Sequence, residues 1–376
     1  MQLLWTDFIH ARGLSLEGKA VWGRDFVNLW TGGRMLREQG PGGIYDLESY
    51  RAFLAGLFGS LRPHNYSYPP ATFPIAETFS FMPYGWALAA WLLLTGALFA
   101  WAARPWWPKQ FGPSWLALLT PAGLMNIWAG HYGFLIGALS LTGWRFLIER
   151  DAQRSGLAFG LMLIKPHLAV LVPLVLLIRR QWTAIGAAAI AVAGILALTA
   201  IVYGFAPWRE WLFGAGAHQA GLLDAGLSFY GYMSSSLTTA ILRFSDDVPI
   251  ALAAQGILAT AAVAMLVVAA RRDVALPDLA MLTATATFLV LPYAFNYDMT
   301  VVCIAALRLW ADSSATRAER WLAVSGFMSP QIGMLLAPLA LPATPVMIAG
   351  LYVAQFTAAM RARPGAQADA TAAPAA

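Results

Sequence analysis

From Tyr84 onward the chain alternates long apolar runs with short polar, mostly basic turns, and the runs are about 20 residues long, the length a helix needs to cross ~30 Å of hydrocarbon. They predict membrane helices over 84–103, 114–130, 132–148, 183–203, 249–270, 277–295, 320–340 and 344–361, with a shorter one, 299–311, that needs tilting or local thinning of the bilayer. Upstream the pattern is different. Phe26, Leu29, Trp30, Gly33 and Leu36 recur at helical spacing while Arg34, Arg37 and Glu38 fall on another face, and Gly40-Pro41 supplies a stop. This predicts an amphipathic helix lying on a membrane surface. Residues 44–83 are polar, aromatic and rich in proline, which predicts an irregular loop with one short helix, and residues 1–22 are too polar to span. The Ala- and Pro-rich stretch 362–376 is expected to be a disordered tail.

The apolar run 156–178 constrains the topology most. Arg150 and Arg154 precede it and Arg179 and Arg180 follow it, so the excess of positive charge on cytoplasmic loops places both of its ends inside. One crossing cannot satisfy that. Two short segments, 156–164 and 166–178, turning at Lys165-Pro166 near the outer side, can. The resulting bundle has about eleven transmembrane helices, with Lys165, Arg209 and Arg243 as the outer cations after residue 83. Residues 1–83, the loop 204–248 and the turn 294–298 then share the outer face. An outer N-terminal segment requires something to export it, so a further helix ahead of Met1, a twelfth, is expected.

Composition agrees with this frame and excludes a soluble domain: 59% of residues are hydrophobic and 11% charged, against roughly 25% charged in soluble proteins. The formal net charge of +5 reads first as topology, and nothing points to nucleic acid. Cys303 is the single cysteine, and the histidines at 10, 64, 131, 167 and 218 form no metal-ligand spacing, so no metal or other cofactor is expected.

The candidate chemistry gathers in the outer segments. Asp25 is a lone acid ahead of the first helix and is either its N-cap or a catalytic carboxylate. Lys165 is a charge that is costly at depth; it either snorkels to the interface or waits for an anion such as a lipid phosphate, with His167 beside it. In Leu291-Pro-Tyr-Ala-Phe-Asn-Tyr-Asp298, Asn296 or Asp298 is expected to cap the following helix, and Tyr293, Tyr297 and Asp298 otherwise line a polar cleft beside Asp25. His131, in WAGHYG, is a turn residue or a wall of that cleft. Arg209 and Arg243 could grip a phosphate bidentately.

These stretches together resemble glycosyltransferase family 87, the polyprenol-phosphate-mannose-dependent mannosyltransferases of the GT-C superfamily. The resemblance is carried by GRDFVNLWTGGRMLREQG followed by IYD, by YPP at 68–70, GH at 130–131, GLAFGLMLIKPHLAVLVPLVLLIRRQW, and LPYAFNYDM near 291–299. It implies an all-α GT-C-like membrane bundle in three parts: an outer-face segment 1–83, a catalytic bundle 84–361 and the tail. It also implies an inverting hexosyltransferase, multi-pass in a bacterial inner (plasma) membrane. A polyprenyl-phosphate-sugar would be the donor, and a lipid or glycan the acceptor. Asp25 would be the general base, Lys165 the group facing the departing phosphate with Arg209 or Arg243 beside it, and Tyr68, His131, Asn296 and Asp298 the sugar pocket. Two other readings stand beside it: a transporter or flippase, for which the break at Lys165 would mark a substrate site, and a metal-dependent GT-C relative in which Asp25 binds a divalent cation.

Overall fold

A computed structural model describes residues 11–12, 15–16, 20–59, 61, 64–215, 229–339 and 341–361. His218, the 362–376 tail and most of residues 1–22 lie outside this set. The first described segments, Ala11–Arg12, Ser15–Leu16 and Ala20–Val21, form a small antiparallel sheet. Among the described residues, the elements after them are helices and helical turns, apart from one isolated bridge between Ser234 and Phe295.

Helix α1, Phe26–Gln39, is the first departure from the sequence reading. It does not lie free on a surface: its residues from Phe26 to Gly33, with Met35 and Leu36, are buried, and only its last turn is exposed. Gly32 and Gly33 explain why the pattern misled. Lacking side chains, they let α1 sink into its neighbours, and a Cβ on Gly33 would sit 2.0 Å from the Ala76 carbonyl oxygen. The cations expected on a wet face find local partners instead, Arg34 pairing with Glu38 and Arg37 donating to the Ser80 carbonyl at 2.7 Å.

Residues 44–83 hold two helices rather than one, α2 (Leu47–Phe58) and α3 (Phe73–Ser80). Asp46 caps α2 by accepting from the Ser49 amide, and Pro74 sits in the first turn of α3, where its missing N–H costs nothing. Helix α4, Tyr84–Ala103, follows with the bounds its apolar run gives. The run 114–130 is broken: a 3₁₀ turn, Ser114–Leu119, precedes the short α5, Pro121–Ala129, because Thr120 is extended and caps α5 while Pro121 starts it. Then come α6 (Gly133–Ile148) and α7 (Ala152–Leu161).

The chain breaks at Lys165, which has φ −145° and ψ 70° between two 3₁₀ turns, Met162–Ile164 and Pro166–Ala169, before α8 (Val172–Ile178). Helix α9, Trp182–Tyr203, packs chiefly on α7 and otherwise faces outward. The short α10 (Ala206–Glu210), a π turn (Trp211–Ala215), α11 (Phe229–Met233) and α12 (Leu237–Ile241) lie in the described part of the loop 204–248. Five more helices complete the bundle: α13 (Val248–Arg271), α14 (Leu276–Val290), α15 (Thr300–Ala311), α16 (Arg317–Leu336) and α17 (Ala343–Arg361).

Among the described helices, four are long and apolar enough to cross a membrane: α4, α9, α13 and α17. The apolar α6, α14 and α15 are shorter, α15 rising only ~18 Å over its length. The count of eleven crossings therefore does not follow from the helices themselves. One apolar core runs through the chain from Phe26 in α1 to Ala359 in α17, so the N-terminal segment is packed into the bundle rather than set beside it.

Candidate active site

Two turns and the break at Lys165 bring the polar groups together. The α5–α6 turn carries Gly130, at φ +67°, where a Cβ would lie 2.8 Å from Cβ of Phe26; this close approach lets the Asp25 amide donate to the Ala129 carbonyl at 2.9 Å. The second turn, 294–298, packs against Gly133, where a Cβ would be 2.2 Å from the Tyr297 carbonyl oxygen. The loop 204–248 closes from a third side, with the Trp211 indole donating to the Ser67 carbonyl at 3.1 Å and the Ser235 amide to the Ala294 carbonyl at 2.8 Å.

Between them is a cavity of about 360 Å³, whose walls include Asp25, Asn28, Tyr68, His131, Lys165 and Tyr297. Asp25 does not cap α1: it has helical backbone angles and makes no capping bond, and one carboxylate oxygen, Oδ2, is buried without a hydrogen-bond partner. Burial pushes its pKa up to about 6, although the Arg24 and Lys165 charges and a hydrogen bond from Tyr297 pull the other way. Arg24, itself buried, lies over the Trp128 ring at 5.7 Å.

Lys165 is also buried, so it does not snorkel. Its ammonium donates to Asp298 Oδ2 at 2.5 Å and to His131 Nδ1 at 3.3 Å, and lies 5.2 Å from the centre of the Tyr297 ring. Accepting at Nδ1 makes His131 a donor through Nε2, which meets the Tyr68 hydroxyl at 3.2 Å. Burial first, and then the Lys165 charge, lower the His131 pKa, so the ring is neutral, which suits this tautomer. The His131 ring stacks on Tyr297 at 4.2 Å. Of the three ammonium protons of Lys165, two are engaged by Asp298 and His131, leaving a third for a ligand in the cavity.

The remaining candidates fall elsewhere. Neither Asn296 nor Asp298 caps α15, whose N-cap is Met299 with no side-chain bond. Asp298 instead sits behind Lys165 as its counter-ion, and Asn296 donates to the Pro330 carbonyl at 2.9 Å. Arg209 is exposed on α10, and the Arg243 guanidinium donates to the Gly231 carbonyl and stacks on Tyr232; neither lines the cavity. Two further polar residues stand by Asp25 without carrying a signal of their own in the sequence: Arg24 directly precedes it, and Asn28 follows one helical turn on. Asn28 lines the cavity with its side-chain oxygen accepting from Tyr50 at 3.1 Å.

The site therefore holds a carboxylate poised near neutrality, a braced ammonium and a hydrophobic, aromatic wall. The model of the family described as glycosyltransferase family 87 matches residues 66–292, more than half of the chain. That stretch contains Tyr68, His131 and Lys165; Asp298 lies just beyond its end, and Asp25 lies well ahead of its start. Comparison with curated proteins and with solved structures finds no match. On the family match and its apolar helices, the chain belongs to glycosyltransferase family 87 and is a membrane glycosyltransferase.

Proposed function

We propose that this glycosyltransferase transfers a hexose, mannose being the sugar the resemblance implies, from a polyprenyl-phosphate donor to a lipid or glycan acceptor at the extracytoplasmic face. The observation that carries the proposal is the joint presence of Asp25 and Lys165 on the wall of one cavity. In a single displacement, Asp25 takes the proton of the acceptor hydroxyl as its oxygen bonds to the anomeric carbon. The bond from that carbon to the phosphate oxygen breaks on the opposite side, inverting the configuration. The electron pair leaves with the lipid phosphate, whose growing charge meets the free N–H of Lys165. With a pKa of about 6, Asp25 is ionised and competent as a base at pH 7, yet basic enough to accept the proton. Tyr68, His131 and Tyr297 supply aromatic faces and hydrogen bonds for the sugar ring.

The break at Lys165 would also suit a transporter. The cavity, however, is bounded by helix ends and outer turns and includes a base, which supports chemistry over passage. Incubating the purified protein with radiolabelled polyprenyl-phosphate sugars and extracting the lipid and glycan products tests the donor assignment. A labelled product with an inverted linkage is expected from one of the polyprenyl donors. Transfer from a nucleotide sugar alone would refute the lipid donor.

Arg24 provides a finer test. Its charge opposes the effect of burial on Asp25, so Arg24→Met should raise the Asp25 pKa and move the acidic limb of kcat/KM upward from about pH 6 by roughly one pH unit. A limb that stays in place would separate Arg24 from the base.

A further inference from the structure

A second cavity lies at the opposite end of α14 and α15 from the catalytic one. It measures about 350 Å³ and is lined by Trp106, Trp107, Asp278, Arg308, Asp312 and Gln355 among others. The catalytic cavity touches α14 where it ends, at Leu291, whereas this one touches its first turn, at Asp278; likewise Asp298 precedes α15 and Arg308 closes it. By the distribution of arginines this is the cytoplasmic end.

Its walls are chemically unfinished. The indole N–H groups of Trp106 and Trp107 and both polar atoms of the Gln355 amide are buried without a hydrogen-bond partner, and Gln355 is only 6% exposed. A buried donor or acceptor left unmet costs on the order of 1–3 kcal/mol, so several around one cavity call for a polar occupant. Arg308 stands among them, over the Trp106 ring at 5.7 Å and within electrostatic reach of Asp278 and Asp312. The cavity thus presents a guanidinium and neutral donors together with two carboxylates. A simple anion would satisfy the first set and be repelled by the second.

We propose that this cavity binds the headgroup of an ethanolamine phospholipid, its phosphodiester held by Arg308, Trp106, Trp107 and Gln355 and its primary ammonium by Asp278 and Asp312. The pairing requires both charges and three ammonium N–H donors. Phosphatidylcholine carries no N–H, and phosphatidylglycerol carries no cation, so each fails one half of the site. The assignment is independent of the catalytic reading.

The test is lipid binding by the purified, delipidated protein in detergent, followed by native mass spectrometry and by the thermal unfolding midpoint. Separate arms carry phosphatidylethanolamine, phosphatidylcholine, phosphatidylglycerol, soluble glycerophosphoethanolamine and inorganic phosphate. One tightly held phosphatidylethanolamine is expected, with an apparent affinity about tenfold or more above the other two lipids. Asp312→Asn should abolish that preference, whereas Gln355→Met, which touches only the phosphodiester that all three lipids share, should weaken each of them while unfolding at a higher temperature than the wild type without lipid, because it removes the unmet amide. Equal binding of the three lipids, equal binding of glycerophosphoethanolamine or phosphate, or an undiminished preference in Asp312→Asn would each overturn the proposal and leave the cavity to water.

Discussion

Asp25→Asn is expected to reduce sugar transfer by about a thousandfold or more while making the protein more stable above pH 6. Loss of the base removes a proton-transfer contribution of typically 10²–10⁴-fold. The stability gain follows from linkage. The folded-state pKa of about 6 lies above the ordinary 3.8, so between those values the folded chain binds more protons than the unfolded one. Stability therefore falls as pH rises through that window and stays lower above it, by up to about 3 kcal/mol. Asn carries no such cost. The thermal midpoint of wild type should decline from pH 4 to 6.5 relative to Asp25→Asn, with the variant the more stable at pH 7. A variant that turns over normally would remove Asp25 from the mechanism, and one that is less stable at pH 7 would mean that the carboxylate is a structural anchor.

Lys165→Met should be damaging twice, and the two effects are separable. It leaves the Asp298 carboxyl buried without the cation that favours its charged form, a loss of roughly 3–5 kcal/mol for a broken internal pair. It also removes the donor proposed to face the leaving phosphate, which is worth about 10²–10³ in kcat. Adding Asp298→Asn to Lys165→Met removes the stranded carboxyl, so the double variant should recover most of the thermal midpoint and almost none of the turnover. Recovery of both would show that Lys165 acts only by holding Asp298 in place.

Which features could be read from the sequence follows from how local their causes are. The bounds of α4, α9, α13 and α17 came through because each is an apolar run with turn residues at its ends. The break at Lys165 was legible from four arginines and one proline. The break at Thr120-Pro121 carried an equally local signal, a capping residue before a proline, which the length of the apolar run concealed. The burial of α1 was not legible, because the glycines that permit it look neutral in a hydrophobic pattern. Nor was the role of Asp298, whose partner Lys165 is 133 positions away; its place just before a helix suggested a cap instead. Arg209 and Arg243 were plausible by residue type alone, and nothing nearby in sequence could reveal that one is exposed on a short helix and the other bound to a neighbouring carbonyl.

The matched charges around the catalytic cavity bear on how substrate arrives. Arg24 and Lys165 are set against Asp25 and Asp298, so the site projects little field into its surroundings. The lipid-phosphate donor proposed above would therefore not be drawn in from afar. It would be sorted by collision and fit at the mouth, and discrimination among headgroups would fall to the short-range grip of a single ammonium proton and the aromatic surfaces around it.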